Sequence, residues 1–176
     1  MLDRWFLILK HRWFDRSDTL RAIPDDLADR LAQRVSASEA RHTGEVRICV
    51  EASLPLSYVW RSGPAEPVGD RVRERAFSWF GRLRVWDTEH NNGVLIYLLL
   101  AEHAIEVVAD RALTQKVDQQ QWQAMVDRLG LRLHDGAFED GLTEALEEVS
   151  ALLVAHFPLE PGVLRPNELT NLVVRA

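Results

Sequence analysis

Apolar residues recur along the chain with two periods, and each switch between them marks a new element. After Pro24, Leu27, Leu31 and Val35 return at spacings of four, which is the period of one helix face. Pro24 with Asp25 and Asp26 suits a first turn, and Gly44 supplies the stop. Residues 45–52, EVRICVEA, change to a period of two. Val46, Ile48 and Val50 fall on one face and Arg47, Cys49 and Glu51 on the other, so a strand with a half-covered polar face is expected. Residues 54–69 contain Pro55, Gly63, Pro64, Pro67 and Gly69 and read as one 16-residue loop, a length that in compact domains goes with function or mobility.

Asp70 then caps a helix carrying Val72, Ala76, Trp79, Phe80 and Leu83, with Gly81 weakening its last turn. Residues 94–100 are apolar on both faces, as in a central strand. Ile105, Val107 and Ala109 alternate with Glu106 and Asp110, so the two runs form a hairpin turning at Glu102 and His103. That register sets Leu95 opposite Asp110 and places Asp110 beside Asn92 at one edge of the sheet. Trp122, Val126, Leu129 and Leu133 mark a further helix, and Leu142, Leu146, Val149 and Leu153 another, with the HDG of residues 134–136 between them. The tail from Pro158 holds three prolines and is expected to be extended and poorly ordered. A strand, a crossover helix and a second strand favour a parallel pair, and the hairpin adds an antiparallel neighbour. The expected fold class is therefore α/β: a small mixed sheet with helices on both faces.

Composition narrows the function classes. The chain has 176 residues, 47% of them apolar, enough for one buried core. With 27 acidic against 21 basic residues and a formal charge of −6, it lacks the basic footprint of a nucleic-acid binder. Cys49 is the single cysteine and cannot form an intramolecular disulfide, which fits a reducing, cytoplasmic setting. The N-terminal stretch MLDRWFLILKHRWFDR holds only five consecutive apolar residues, from Trp5 to Leu9. A secretory core takes about 7–15 and a membrane span about 20, so no transmembrane segment is expected there. It reads instead as an amphipathic helix whose Trp5, Phe6, Leu9, Trp13 and Phe14 pack on the domain or meet a partner. The chain divides into this aromatic segment, residues 1–23, a domain over 24–157 and the tail over 158–176.

GEVRICVEA, then FGRLRVWDTEHNNGVLIYLLLAEHAIEVVADR, then DGAFEDGLTEALEEV, together resemble the TPM-domain family, known from thylakoid-lumen proteins of photosystem II repair. The likeness is to its compact bacterial branch, without signal peptide or transmembrane tail, and covers about residues 44–153. It implies a twisted sheet flanked by helices. Acid phosphatase activity described for plant relatives and calcium binding reported for bacterial ones are the activities it implies. Many members carry an acid where this chain has Asn91 and a glycine where it has Ala112.

Residues 87–92 and Asp110 hold the densest set of oxygen ligands: Asp87, Glu89, Asn91, Asn92 and Asp110. Hard cations take about six to eight oxygens, so these residues form a candidate calcium or magnesium corner. On the plainer reading Asn91, Asn92 and Gly93 make a turn, Asp87 or Thr88 caps it, and Asp110 pairs with Arg111 or Arg84. His90 and His103 lie in polar turns, where solvation is the simple expectation. Neither a DxD strand end nor a CxxxxxR loop is present, and Cys49 reads as a buried small hydrophobe. Two functions follow. One is a protein-binding or scaffold module using Trp5, Trp13, Trp60 and Trp86, whose expected partners include a membrane-associated protein or a second copy. The other is a metal-dependent phosphohydrolase in which an ion held by the corner activates water; its catalytic residues are not legible in the sequence.

Overall fold

The computed structural model describes residues 2–61, 68–134, 136–160, 162–163 and 166–176, with the side chains of residues 2–6 and 132–134 excepted. The elements run α1 (Leu2–Trp13), α2 (Arg16–Ala22), α3 (Asp25–Glu39), β1 (Val46–Glu51), α4 (Leu56–Arg61), α5 (Val68–Arg82), β2 (Val94–Leu99), β3 (Ala104–Ala109), α6 (Arg111–Thr114), α7 (Gln119–His134), α8 (Phe138–His156) and β4 (Val174–Arg175). The sheet order is β3-β2-β1-β4. β1 pairs parallel with β2 and with β4, while β2 and β3 are antiparallel, so the mixed α/β sheet expected from the pattern is present.

Helices cover both faces. Val46, Ile48, Val50, Val94, Ile96 and Leu98 meet Leu31, Val35, Leu129 and Leu146 of α3, α7 and α8 on one side. On the other, Cys49, Leu95, Tyr97 and Leu99 meet Val59, Val72 and Ala76 of α4 and α5. β1 is buried on both faces, not half-covered, because Glu51 finds a partner inside: Arg75 of α5 reaches it from Nε at 2.9 Å and from Nη2 at 2.5 Å.

Several local expectations are corrected. The span read as one loop contains α4, nucleated where the Pro55 carbonyl accepts the Tyr58 and Val59 amides and anchored by buried Val59; Gly63, Pro64 and Pro67 lie outside the described residues. Asp70 sits within the first turn of α5 instead of capping it, a position its charge still favours. Helix α3 ends at Glu39, not at Gly44. Gly44 is needed for close approach, since a Cβ there would lie 2.6 Å from Leu153 Cδ2 and 2.9 Å from the Asn92 carbonyl oxygen. The hairpin tip is a 3-10 turn over Leu100–Glu102 closed by His103 at φ 49°. That longer turn moves the register by two, so Leu95 faces Val108. A shift of two keeps each side chain on its face.

The tail is stitched down, contrary to expectation. The Glu45 carboxylate accepts the Glu168 and Leu169 amides at 3.2 and 3.3 Å, Ala176 exchanges hydrogen bonds with Ala52 and Val50, and Arg175 meets Asp25 at 2.7 Å. The parallel strand β4 that results covers part of the free edge of β1.

Candidate functional site

The loop before β2 is built by turn chemistry. Arg84 and Asn91 take positive φ, 55° and 52°, and asparagine tolerates that region through its short polar side chain. Thr88 ties the loop: its carbonyl accepts the Asn91 amide at 3.2 Å and its hydroxyl accepts the Asn92 amide at 3.3 Å. Gly93 follows because a Cβ there would fall 2.0 Å from the Val85 carbonyl oxygen. The Asp110 amide donates to the Gly93 carbonyl at 2.9 Å, so the ends of β2 and β3 do meet where Asp110 adjoins the Asn-Gly turn.

The side chains of that corner are mostly engaged. Asp87 pairs with Arg84 at 2.7 Å. Asn91 Oδ1 accepts from Arg111 Nη2 at 2.5 Å. Glu89 is exposed, and its backbone amide donates to the Glu168 carboxylate at 2.9 Å. Asp110 caps α6, its Oδ1 accepting the Arg111 amide at 2.7 Å. Two oxygens stand apart: Asn92 Oδ1 and Asp110 Oδ2 are buried with no hydrogen-bond donor. The pleat separates them. Val94 lies on the α3/α8 face with Ala109, and Leu95 on the α5 face with Val108, so alternation carries Asn92 to the first face and Asp110 to the second. Asn92 Nδ2 accordingly donates to Thr43 Oγ1 at 3.0 Å. Among the described residues no three carboxylate, imidazole or thiol groups converge as a metal cage.

Other candidates fall into place by burial. Cys49 is buried, and loss of solvent pushes its thiol up, away from the thiolate a nucleophile needs. His90 is exposed, and His103 sits at the hairpin tip with its ring 6.1 Å from Phe138.

At the opposite end of the sheet the N-terminal helix is docked. Leu7 and Ile8 pack against the α5-side core. His11 Nδ1 accepts the Leu54 amide at 3.1 Å, and its Nε2 lies 2.9 Å from Glu102 Oε1, with Lys10 at 3.2 Å from the same oxygen. Burial works to raise the Glu102 carboxyl, yet His11 and Lys10 outweigh it and hold the group below its ordinary value of 4.5. Phe14 packs on the other core. The side chains of Trp5 and Phe6 lie outside the described residues. Trp13 is 84% exposed and Trp60, on α4, 61%; α1 and α4 pack against each other. Trp86 is 51% exposed beside the Asp87 loop.

Sequence reasoning missed His11 as the anchor, and only its helical spacing from Leu7, Ile8 and Phe14 hints at burial. It also missed the network in which Glu51 accepts from Arg75, from Trp79 Nε1 at 2.9 Å and from the Tyr97 hydroxyl at 2.7 Å.

The TPM domain model matches residues 17–152, most of the chain. This chain belongs to the TPM-domain family. A solved structure with a similar fold is the NMR structure of the BA42 protein from the psychrophilic bacterium Bizionia argentinensis. It is 22% identical, with a TM-score of 0.66 over 84% of this chain and 91% of that one, and at that identity the likeness speaks for the fold alone. No curated protein matches the chain significantly. The TPM domain here thus includes α2, the sheet from β1 to β3 and most of α8. No described helix is long and apolar enough to cross a membrane.

Proposed function

We propose that this TPM domain is a protein-binding module whose contact surface is the α1/α4 end. One observation carries the reading: a helix clamped to the domain by Leu7, Ile8 and His11 holds Trp13 in solvent, and α4, packed against that helix, carries a second exposed indole, Trp60. Indoles dominate protein interfaces because they bury large apolar area at little entropic cost. Their location supports it too. Trp60 follows the carboxyl end of β1, and Glu102, which receives α1, follows the carboxyl end of β2; in open α/β sheets ligands bind outside those strand ends. The double variant Trp13→Ala/Trp60→Ala should keep the wild-type melting temperature within a degree or two, since exposed positions carry little stability, and should fail to recover the partner that the wild-type chain recovers from cell extract. Equal recovery by both proteins would remove this surface from the account.

A second reading is favoured by the buried, donorless Asp110 Oδ2. A hard divalent cation, calcium or magnesium, would take this oxygen together with Asp87, Glu89 and Asn91, displacing Arg84 from Asp87 and Arg111 from Asn91. If the domain hydrolyses phosphate esters, that ion is what activates the water. Amide NMR during titration with calcium or magnesium chloride should show saturable shifts in residues 87–91 and at Asp110, absent in Asp110→Asn. Phosphate-ester turnover that persists in chelator, or in Asp110→Asn, would contradict the ion's role.

A further inference from the structure

We propose that the open edge of β3 is a docking site for an extended, apolar peptide segment of another protein, which joins the sheet as an added strand in the trough between α5 and α7. β3 ends the sheet order, and none of the described residues pairs with its outer side. The hydrogen-bond phase is fixed by the Asp110 amide on the Gly93 carbonyl and the Val94 amide on the Glu45 carbonyl. Residues opposite Gly93, Leu95 and Tyr97 therefore bond inward, and Ile105, Val107 and Ala109 turn their N–H and C=O groups outward. These are the groups an added strand pairs with.

The surroundings select a slim occupant. The edge lies at the floor of a trough of ≈ 160 Å³ walled by Arg73 and Phe77 of α5 and by Trp122 and Val126 of α7, and Val107 is only 8% exposed. That volume is small for a cofactor, whose pockets run to about 300–1,000 Å³, and suits a few side chains of a single strand. A second copy's β3, recessed in the same way, cannot reach this one. On the α7 side, where Val107 and Ala109 face Trp122 and Val126, the peptide would place apolar side chains. On the α5 side it meets Phe77, 50% exposed, under the Arg73 guanidinium, so an aromatic residue fits there. One unmet demand marks the site. Trp122 Nε1 is buried without an acceptor, which a peptide carbonyl would supply. Glu106, on β3 itself, is raised by burial despite Arg73 at 3.0 Å, and further desolvation by an apolar strand costs a carboxyl already raised less than an ordinary one.

The inference shares with the proposed function only the idea of a protein partner and uses a different surface. To test it, random peptides of about seven residues, long enough to span the edge, are displayed on phage and panned against the full chain. The enriched sequence is then synthesised. It should alternate apolar residues and shift the amides of Val107 and Ala109 and the Trp122 indole proton in NMR spectra. N-methylation at alternate peptide nitrogens should weaken binding about tenfold in one phase and little in the other, the scale of one or two lost hydrogen bonds. Val107→Pro should abolish binding; its amide points outward, where proline is tolerated on an edge strand. If that variant fails to fold, the methylation phase decides alone. No enriched peptide, shifts confined to α1 and α4, or concentration-dependent dimerisation through β3 would each overturn the proposal. Shifts confined to α1 and α4 would still leave the Trp13/Trp60 reading standing.

Discussion

A carboxylate removed from water needs donors for its lone pairs, and Glu51 shows what that requires: Arg75, Trp79 and Tyr97 all converge on it. Burial and the neighbouring carboxylate push the Tyr97 hydroxyl up, so it stays a donor. Replacing Glu51 by Ala strands the Arg75 guanidinium and should cost about 3–5 kcal/mol in urea unfolding, whereas Glu51→Leu with Arg75→Leu should cost much less, because no lone buried charge remains. An equal loss in both would show that packing, not charge pairing, sets the effect. The same comparison explains what the sequence could reveal. The alternation of Arg47, Cys49 and Glu51 located the strand, but period cannot say that a guanidinium 24 residues away will cover its polar face. Asp87, Asn91 and Asp110 were legible as oxygen donors near one strand end. That Arg84 and Arg111 occupy two of them depends on turn geometry, with Arg84 and Asn91 at positive φ, which residue types alone do not fix.

Among the elements, α1 carries the most testable link between charge and structure. The Glu102 carboxyl is held below 4.5 in the folded chain, so its contribution is full above that value and is lost as pH falls through the lower, folded one. Acidification below pH 4.5 should therefore release α1 before the sheet opens. Hydrogen exchange at Leu7 to His11 should quicken first, and Glu102→Gln should remove the pH step while leaving slow exchange in β2. Simultaneous opening of α1 and β2 would contradict this. Element types were largely legible because α3, α5, α7 and α8 keep an apolar face over many turns. The short pieces were not. α4 hid among prolines, α6 is a single turn started by Asp110, and β4 is two residues long, with its pairing decided by Glu45 and Asp25 far away in sequence.

As a whole molecule, the domain presents a sheet with its covered faces inside and its three open features apart: the Asp110 loop at one end, the aromatic helices at the other, and the β3 edge along the side. The family and the mixed sheet were legible from the strand run of residues 94–100 and its hairpin. The placement of the aromatic helices opposite the Asp110 loop was not, because it depends on where α1 lands, and His11 settles that through tertiary contacts with Leu54 and Glu102. The central claim is that the Trp13/Trp60 end touches a protein partner. A photo-crosslinking amino acid placed at position 60 tests it most directly, with position 131 on α7, a leucine 74% exposed, as the control. Irradiation in cell extract should give a discrete higher-mass adduct from position 60 and none from position 131. Equal labelling from both positions, or none from either, would contradict the account.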